Sequence, residues 1–217
     1  MKDIILEVKN LRKLSEGREI LTDISLNIEK SQNIGIFGTS EEVFQLYQSL
    51  AGIDPIDGGE IMLNDKNFAL AKEDEKARIR FTQMGLINTD YLLENQTIDK
   101  MFDFKLMYLR EPKEDKAKRK EAVKDFTGIE DTYRIINELS QYEKVLVSIA
   151  CSIIRSPSII YSFNATKDLE KKESSKVLDL LSLISKSKGR TMIQFSDNWN
   201  DLKTSKILKI KNGKISK

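Results

Sequence analysis

One short stretch constrains the fold of this 217-residue chain more than any other. Residues 33–52 read NIGIFGTSEEVFQLYQSLAG, in which an apolar strand from Asn33 to Phe37 meets a single glycine, Gly38. A helix is predicted next, because the following apolar residues recur at helical spacing. These residues are Val43, Phe44, Leu46, Tyr47 and Leu50. A buried strand that turns into an amphipathic helix is typical of a sheet with helices packed on it.

The turn of this unit has the setting of a phosphate-binding loop without its chemistry. In such a loop glycine N–H groups reach the phosphates, a lysine pairs with them, and a Ser or Thr holds magnesium. Here those residues are absent, and Glu41 and Glu42 stand at the helix start. Thr39 and Glu42 have the S/T-x-x-E spacing of a capping box. Carboxylates also suit the positive end of the helix dipole and repel a phosphate. The sequence therefore predicts a helix that caps itself with an internal anion.

Composition and charge exclude several classes of function. With 36 basic and 34 acidic residues, the formal net charge is +2, and no field of one sign points to nucleic acid. The chain has one cysteine, Cys151, and no histidine. We therefore expect no disulfide and no metal site, in a reducing, cytoplasmic compartment. The first ten residues, MKDIILEVKN, lack the apolar stretch of a signal peptide, and no apolar run is long enough to span a bilayer. A role at a membrane would need an anchoring partner.

The rest of the chain first favours an antiparallel sheet and then an alternation of helices and strands. Alternating segments at residues 4–8 and 20–28, separated by a turn at residues 15–17, predict the antiparallel sheet. Residues 97–126 predict a helical insertion that Pro112 interrupts. Strands that alternate with helices imply a parallel sheet. The other predicted elements are a strand at 60–63, helices at 143–155 and 168–186, strands at 158–163 and 191–195, and a hairpin through Asn212-Gly213.

The order of these elements resembles the ATPase subunit of an ABC transporter along essentially the whole chain. LEVKNLRK and ILTDISLNIEKSQNIGIFG are similar to its opening sheet, and SLAGIDPIDGGEIMLND is similar to the segment after its P-loop. ELSQYEKVLVSIACSIIRSPSIIY matches its signature helix and Walker B strand, while GRTMIQFSDN and ILKIKNGKI resemble its switch strand and closing hairpin.

The resemblance implies an α/β, P-loop NTPase-like (RecA-like) fold. We expect a parallel sheet core with an N-terminal antiparallel β subdomain and an α-helical insertion. A single domain over 1–217 is implied, in which about 1–88 and 158–217 form the core with the antiparallel subdomain. Residues 89–157 would form the helical subdomain and the signature helix.

The positions that carry the family's chemistry hold other residues here. Leu14 occupies the position where the family has an aromatic ring that stacks on adenine, and Thr89 occupies the position where the family has a glutamine. The other altered positions are Gly38, Thr39, Ser40, Glu41 and Glu42 in the P-loop; Ser140, Gln141 and Tyr142 in the signature; Phe163 and Asn164 in Walker B; and Asp197 for the switch histidine. Losing one group that stabilises transition-state charge typically costs about 10² to 10³ in rate. We therefore expect a degenerate pseudo-ATPase that is not an enzyme and has no catalytic residue, cofactor or metal, with Ser140 as a helix N-cap.

The family's fold is retained although the residues of its nucleotide motifs are altered. This combination favours a structural or regulatory subunit docked on a membrane permease. In the family, the permease is received by the segment that corresponds to residues 89–109. The predicted docking residues are Thr89, Asp90, Tyr91, Leu92, Leu93, Met101, Phe104 and Met107. A helix buried within its own subdomain explains the same apolar pattern equally well.

The expected location is the cytoplasm, at the inner face of the cell membrane through a partner. The resemblance also implies a homodimer, or a heterodimer with another ABC ATPase-like subunit, and no nucleic acid. Two other functions stay open at this point: a residual ATP-binding or ATPase subunit of an ABC exporter, and a soluble scaffold protein.

Overall fold

The computed structural model describes residues 3–187 and 189–216, and the outer limits of the expected domain, 1 and 217, lie outside them. The strands are β1 (Ile4–Ser15), β2 (Arg18–Glu29), β3 (Asn33–Phe37), β4 (Gly58–Leu63), β5 (Lys66–Asn67), β6 (Met84–Ile87), β7 (Ile159–Phe163), β8 (Thr191–Ser196), β9 (Lys206–Lys211) and β10 (Lys214–Ser216). The helices are α1 (Ser40–Leu50), α2 (Glu73–Gln83), α3 (Ile98–Leu106), α4 (Lys113–Thr127), α5 (Gln141–Ile153) and α6 (Lys171–Lys186).

The strands form one mixed sheet in the order β5-β4-β1-β2-β10-β9-β3-β8-β7-β6. Strands β1, β2, β4 and β5 pair antiparallel, whereas β9, β3, β8, β7 and β6 pair in parallel. The closing strand β10 runs antiparallel to β9 and parallel to β2, so the final hairpin joins the two parts. The predicted α/β fold, with a parallel core and an N-terminal antiparallel part, is confirmed.

Two groups of buried side chains hold these layers together. One packs α1 between the antiparallel strands and the parallel strands, with Tyr47 and Phe68 fully buried within it. The other joins α3, α5 and α6 around residues such as Phe102, Ile149 and Leu181. The site described below lies at the carboxyl end of β3, where α1 starts. Strand β3 pairs with β8 on one side and with β9 on the other.

Most predicted elements are present, with boundaries shifted by a few residues. The strand at 33–37 is confirmed with its limits unchanged, and residues 97–126 form two helices, with Pro112 at the start of the second. The prediction missed α2, because its sequence, EDEKARIRFTQ, buries only Lys76 and Ile79 and has no clear apolar stripe. The division at residues 89 and 157 stays a prediction.

No helix within residues 3–187 and 189–216 combines the length and the apolar character that crossing a membrane requires.

Gly59 allows a close approach of β4 to β1. Its φ is +88°, and a Cβ atom there would lie 2.4 Å from the carbonyl oxygens of Lys9 and Asn10. At this point the pairing register of the two strands shifts. We expect Gly59→Ala to lower the free energy of unfolding by about 2 kcal/mol or more, through backbone strain and this overlap.

The neighbouring Gly58 is a matched control. A Cβ atom there would meet only the Arg12 side chain, at an ordinary 3.6 Å. Urea unfolding of both variants checks the prediction, which fails if Gly58→Ala and Gly59→Ala lose equal stability.

Candidate functional site at the carboxyl end of strand β3

Gly38 connects β3 to α1 and leaves room for a carboxylate beside the backbone. A Cβ atom at this position would lie 3.1 Å from Cβ of Ile210 and 3.2 Å from Oε2 of Glu42. Both distances are tighter than ordinary contacts, so a side chain here would displace the Glu42 carboxylate or the strand β9 beside it. Because Gly38 has no side chain, the Glu42 carboxylate has room to lie beside the backbone.

The predicted capping box at the start of α1 is confirmed. The backbone N–H of Thr39 donates to Oε2 of Glu42 at 3.0 Å, and the N–H of Glu42 donates to Oγ1 of Thr39 at 3.3 Å. The Thr39 hydroxyl also donates to the same carboxylate at 2.9 Å. These bonds satisfy N–H groups that have no partner within the helix.

Glu42 makes one further contact that the local sequence pattern does not reveal. Its Oε1 accepts the backbone N–H of Gly213 at 2.9 Å, in the turn between β9 and β10, and only 8% of the residue is exposed. One carboxylate therefore joins the start of α1 to the closing hairpin. An N-terminal helix end is a binding place for anions, and here an internal anion lies on it. A phosphate does not fit this place while the Glu42 carboxylate remains there.

The next residues of α1 contact the predicted switch position and the first hairpin. The hydroxyl of Ser40 donates to the carboxylate of Asp197, just beyond β8. Arg18 and Glu41 form an exposed ion pair at 3.4 Å. The structure thus brings the predicted P-loop and switch positions together.

Of the two residues predicted at the Walker B positions, Phe163 has aromatic neighbours and Asn164 has a left-handed backbone conformation. The ring of Phe163 stacks on Tyr47, with centroids 5.0 Å apart, and lies 5.5 Å from the ring of Phe44. Asn164 follows with φ of 44°, and its N–H donates to the carbonyl of Phe195 at 2.9 Å. Burial raises the pKa of the Tyr47 hydroxyl far above its usual range, so this group stays protonated at neutral pH. Packing, rather than charge, fixes the end of β7.

Ser140 is the N-cap of α5, as predicted. Its N–H donates to Oε2 of Glu143 at 2.8 Å, and the Glu143 N–H donates back to its hydroxyl at 3.3 Å. Arg134 pairs with the same Glu143 carboxylate, which the sequence pattern does not indicate. Tyr142 is half-buried, and the Lys176 ammonium lies 5.8 Å from its ring. A second capping box thus orders the predicted signature segment.

A cavity of about 470 Å³ lies between these segments. It is lined by eight of the predicted site residues: Ser40, Glu41, Thr89, Asp90, Gln141, Phe163, Asn164 and Asp197. Gly38, Thr39, Glu42, Ser140 and Tyr142 are not part of its lining. Across the described part of the chain, no group of three or more His, Cys, Asp or Glu residues is placed to hold a metal ion.

The predicted docking residues divide into buried and exposed ones. Met101 and Leu92 are 2% and 8% exposed and belong to the core around α5, so their assignment to a docking surface was wrong. They point inward because their apolar side chains fill the space between α3 and α5. Leu93, Phe104 and Met107 are exposed. The remaining three, Thr89, Asp90 and Tyr91, form a short 3-10 turn that the Asn88 side chain caps.

Sequence reasoning missed a groove beside this turn. It runs between α2 and the ends of α3 and α5 and consists of two adjoining cavities of about 350 and 460 Å³. Arg155 and Phe81 line both cavities, Tyr91 and Cys151 line one, and Tyr108 lines the other. Only the charge of Arg155 after an apolar helix signals this groove in the sequence.

Comparisons with known proteins place this architecture in one class. No protein-family model matches the chain. The chain is similar to the phosphonates import ATP-binding protein PhnC of Fusobacterium nucleatum subsp. nucleatum, with 29% identity over 225 residues, or 98% of this chain and 91% of that protein. It is also similar to the lipoprotein-releasing system ATP-binding protein LolD of Aquifex aeolicus, with 26% identity over 97% of this chain and 96% of that protein.

Solved structures show the same fold. The dimeric post-hydrolysis state of the ATP-binding cassette MJ0796 bound to ADP and Pi has a TM-score of 0.88 and 21% identity, over 98% of this chain and 97% of that one. CbiO1 of Clostridium perfringens is part of the ABC transporter complex cbiONQ. It has a TM-score of 0.84 and 23% identity, over 100% of this chain and 88% of that one. The fold is that of an ABC ATPase cassette. The relatives that match nearly the whole chain are ATP-binding subunits of ABC transporters.

One expectation from the sequence is overturned by these relatives. We expected a protein that is not an enzyme, on the grounds of its altered motif residues. The expectation is wrong, because the relatives that match nearly the whole chain are named ATP-binding proteins, and nothing in the comparisons indicates an inactive one.

The Glu143–Arg134 pair makes a pH-dependent contribution to stability. The hydrogen bond from Arg134 holds the pKa of the Glu143 carboxyl below its usual value, against the opposing effect of burial. A carboxyl with a lower pKa in the folded state stabilises above its unfolded pKa, about 4.3, and this stabilisation is lost as pH falls through the folded-state pKa. Glu143→Gln keeps a side chain able to complete the capping box but removes the charge.

We therefore expect Glu143→Gln to be less stable than the native chain at pH 7. The difference should shrink below about pH 5 and disappear once the native carboxyl is protonated. Urea unfolding between pH 7 and pH 3 measures it, with exposed Glu130→Gln as the control. A difference that does not change with pH would show that the charge of Glu143 is not the source.

Proposed function

We propose that this chain is the ATP-binding subunit of an ABC transporter and that it docks on a membrane permease. The observation that carries the proposal is the match of nearly the whole chain to ATP-binding proteins of import, release and export systems. Those relatives are named for phosphonates, lipoproteins and bacitracin, so their names do not agree on one transported substrate.

The nucleotide enters, in this proposal, at the cavity between α1, β7 and α5. Phe44 and Phe163 give it an apolar wall, and Ser40, Asn88 and Gln141 give it polar groups. The triphosphate reaches the start of α1 only after Glu42 releases the N–H groups of Thr39 and Gly213, because two anions do not share one helix end. Binding of ATP is thereby coupled to the position of the closing hairpin.

The subunit pairs with a second cassette, either another copy or a related subunit. A dimeric arrangement is reported for the cassette MJ0796. In such a pair, the segment at Ser140, Gln141 and Tyr142 faces the P-loop segment of the other subunit. The capping box at Ser140 keeps this segment ordered before the partner arrives.

The permease docks beside the turn Thr89–Tyr91, where Leu93 and Phe104 are exposed. The groove next to Tyr91 continues this surface. Exposed apolar side chains around a groove are a feature of protein interaction surfaces. Attachment to the permease places the subunit at the inner face of the cell membrane.

The first test is purification of the tagged, full-length chain from its native membranes in mild detergent. We expect a polytopic membrane protein to co-purify with it. Leu93→Asp together with Phe104→Asp should reduce the recovered permease, because two charges would be buried in an apolar interface. The exposed Leu183→Asp on α6 is the control for added charge. A native chain that is recovered without any membrane protein contradicts docking and favours a soluble scaffold.

The second test measures Mg-ATP binding by the purified complex. Glu42→Gln removes the negative charge and retains one side-chain oxygen, which can accept one of the two N–H groups, while its NH2 group faces the other. We expect its affinity for Mg-ATP to rise at least about 10-fold, or roughly 1.4 kcal/mol, because one like charge next to the phosphates is lost. Glu121→Gln on α4 makes the same charge change at an exposed site.

Thermal stabilisation at several Mg-ATP concentrations gives the dissociation constants. Absence of Mg-ATP binding in both the native complex and Glu42→Gln, at millimolar concentration, would sink the ATP-binding part of the proposal. An equal affinity of the two would show that Glu42 does not compete with the phosphates.

A further inference from the structure

The cavity between α1, β7 and α5 has a single basic side chain in its lining, that of Lys167. Among the residues that the structure describes, no other Lys and no Arg lines it. A phosphate-binding loop supplies its lysine from the start of its helix, whereas the helix start of this chain has Glu41 and Glu42. A phosphate that enters this cavity therefore meets its cation in the segment after β7 and not in α1.

A tight turn after β7 fixes the backbone of Lys167 beside the cavity. The N–H of Lys167 donates to the carbonyl of Asn164 at 3.0 Å, and the N–H of Asn164 donates to the carbonyl of Phe195 at 2.9 Å. Thr166, inside the turn, is 5% exposed. The backbone at Lys167 is thus anchored to strand β8, while the residue itself is exposed.

Two polar groups of this turn have no partner in the described part of the chain. The ammonium of Lys167 takes part in no ion pair and no hydrogen bond there. The side-chain Oδ1 of Asn164, in the same lining, is buried and accepts no hydrogen bond. A buried acceptor without a donor destabilises a protein, and a donor on a ligand removes this deficit. The turn therefore offers a cation and an acceptor to whatever occupies the cavity.

Carboxylates in the same lining make Lys167 decisive for an anionic ligand. Arg18 pairs with Glu41 at 3.4 Å, and the Ser40 hydroxyl donates to Asp197, so two of the carboxylates have partners. An anion in the cavity is attracted by Lys167 and repelled by the carboxylates, and magnesium bound to the nucleotide offsets part of that repulsion. Loss of Lys167 leaves the repulsion without a protein cation to balance it. The carboxylates in the lining are those of Glu41, Asp90, Asp168 and Asp197.

We propose that Lys167 binds the phosphates of the nucleotide in place of the lysine that the start of α1 lacks. The inference rests on the proposed function, because it concerns the same cavity. It adds a residue that touches the substrate: the cation comes from the loop between β7 and α6 and faces Ser40 and Glu41 across the cavity. Asn164 accepts a hydrogen bond from a hydroxyl group or a bound water of the same ligand.

An acyl-phosphate derivative of ATP tests the position of Lys167 in the complex purified from native membranes. The neutral amine of a lysine next to the terminal phosphate attacks the acyl carbon; an amide forms, the amine releases one proton, and ATP leaves. We expect mass spectrometry to find the acyl group on Lys167 and an excess of Mg-ATP to prevent the reaction. Mg-ATP-protected acylation of a different lysine of this chain, or no acylation of this chain in a complex that binds Mg-ATP, overturns the inference. A complex that does not bind Mg-ATP overturns the proposed function instead.

Substitutions measure what the charge of Lys167 contributes. Lys167→Gln removes the charge, Lys167→Arg retains it, and Lys186→Gln removes an exposed cation from the far end of α6. We expect Lys167→Gln to weaken Mg-ATP binding about 10- to 100-fold, as the loss of a hydrogen bond to a charged group does. Lys167→Arg should keep most of the affinity, and Lys186→Gln should keep all of it. Because Lys167 is exposed, its variants should fold as the native chain does.

Adenosine separates a lost phosphate contact from a damaged cavity, because it has no phosphate. We expect Lys167→Gln to bind adenosine as the native chain does. Equal affinities of Lys167→Gln and the native chain for Mg-ATP overturn the inference. A loss that is equally large for adenosine and Mg-ATP overturns it as well, since the effect then has nothing to do with phosphates.

Discussion

The carboxylate of Glu42 is the interaction on which the rest of the site depends. It accepts hydrogen bonds from the N–H groups of Thr39 and Gly213, which come from opposite ends of the chain. The start of α1 and the turn between β9 and β10 are thereby fixed against each other, at the carboxyl end of strand β3. Both a helix N-terminus and a tight turn present N–H groups, and a single buried anion satisfies them together. Much of the order at this end of the sheet follows from that one side chain.

A second constraint comes from aromatic packing along the parallel strands. Phe163 stacks on Tyr47, and Tyr47 in turn meets the edge of Phe195 with centroids 5.6 Å apart. Strands β7 and β8 are therefore joined to α1 by three rings instead of by charged groups. The adjoining cavity therefore has an aromatic wall at Phe44 and Phe163, and its polar lining includes Ser40, Asn88 and Gln141.

The sequence allowed the local structure to be predicted much better than the contacts between distant residues. The capping box at Thr39 and the N-cap at Ser140 were predicted, because the hydrogen-bond partners lie within four residues of each other. The contact between Glu42 and Gly213 spans 171 positions and leaves no local pattern. The burial of Met101 was not predictable either, because one apolar stripe on α3 fits its own core as well as a partner. The same limit affected function: altered residues were read as lost activity, and relatives along the whole chain contradict that reading.

Cys151 on the wall of the groove has a consequence for labelling chemistry. It is the single cysteine of the chain, it is 5% exposed, and burial raises the pKa of its thiol to about 11. Alkylating reagents attack the thiolate, so this sulfur reacts only when α5 moves away from its neighbours. The rate at which Cys151 is modified therefore measures how often the wall of the groove opens locally. A ligand that closes the groove slows that rate, and no engineered probe is needed to see it.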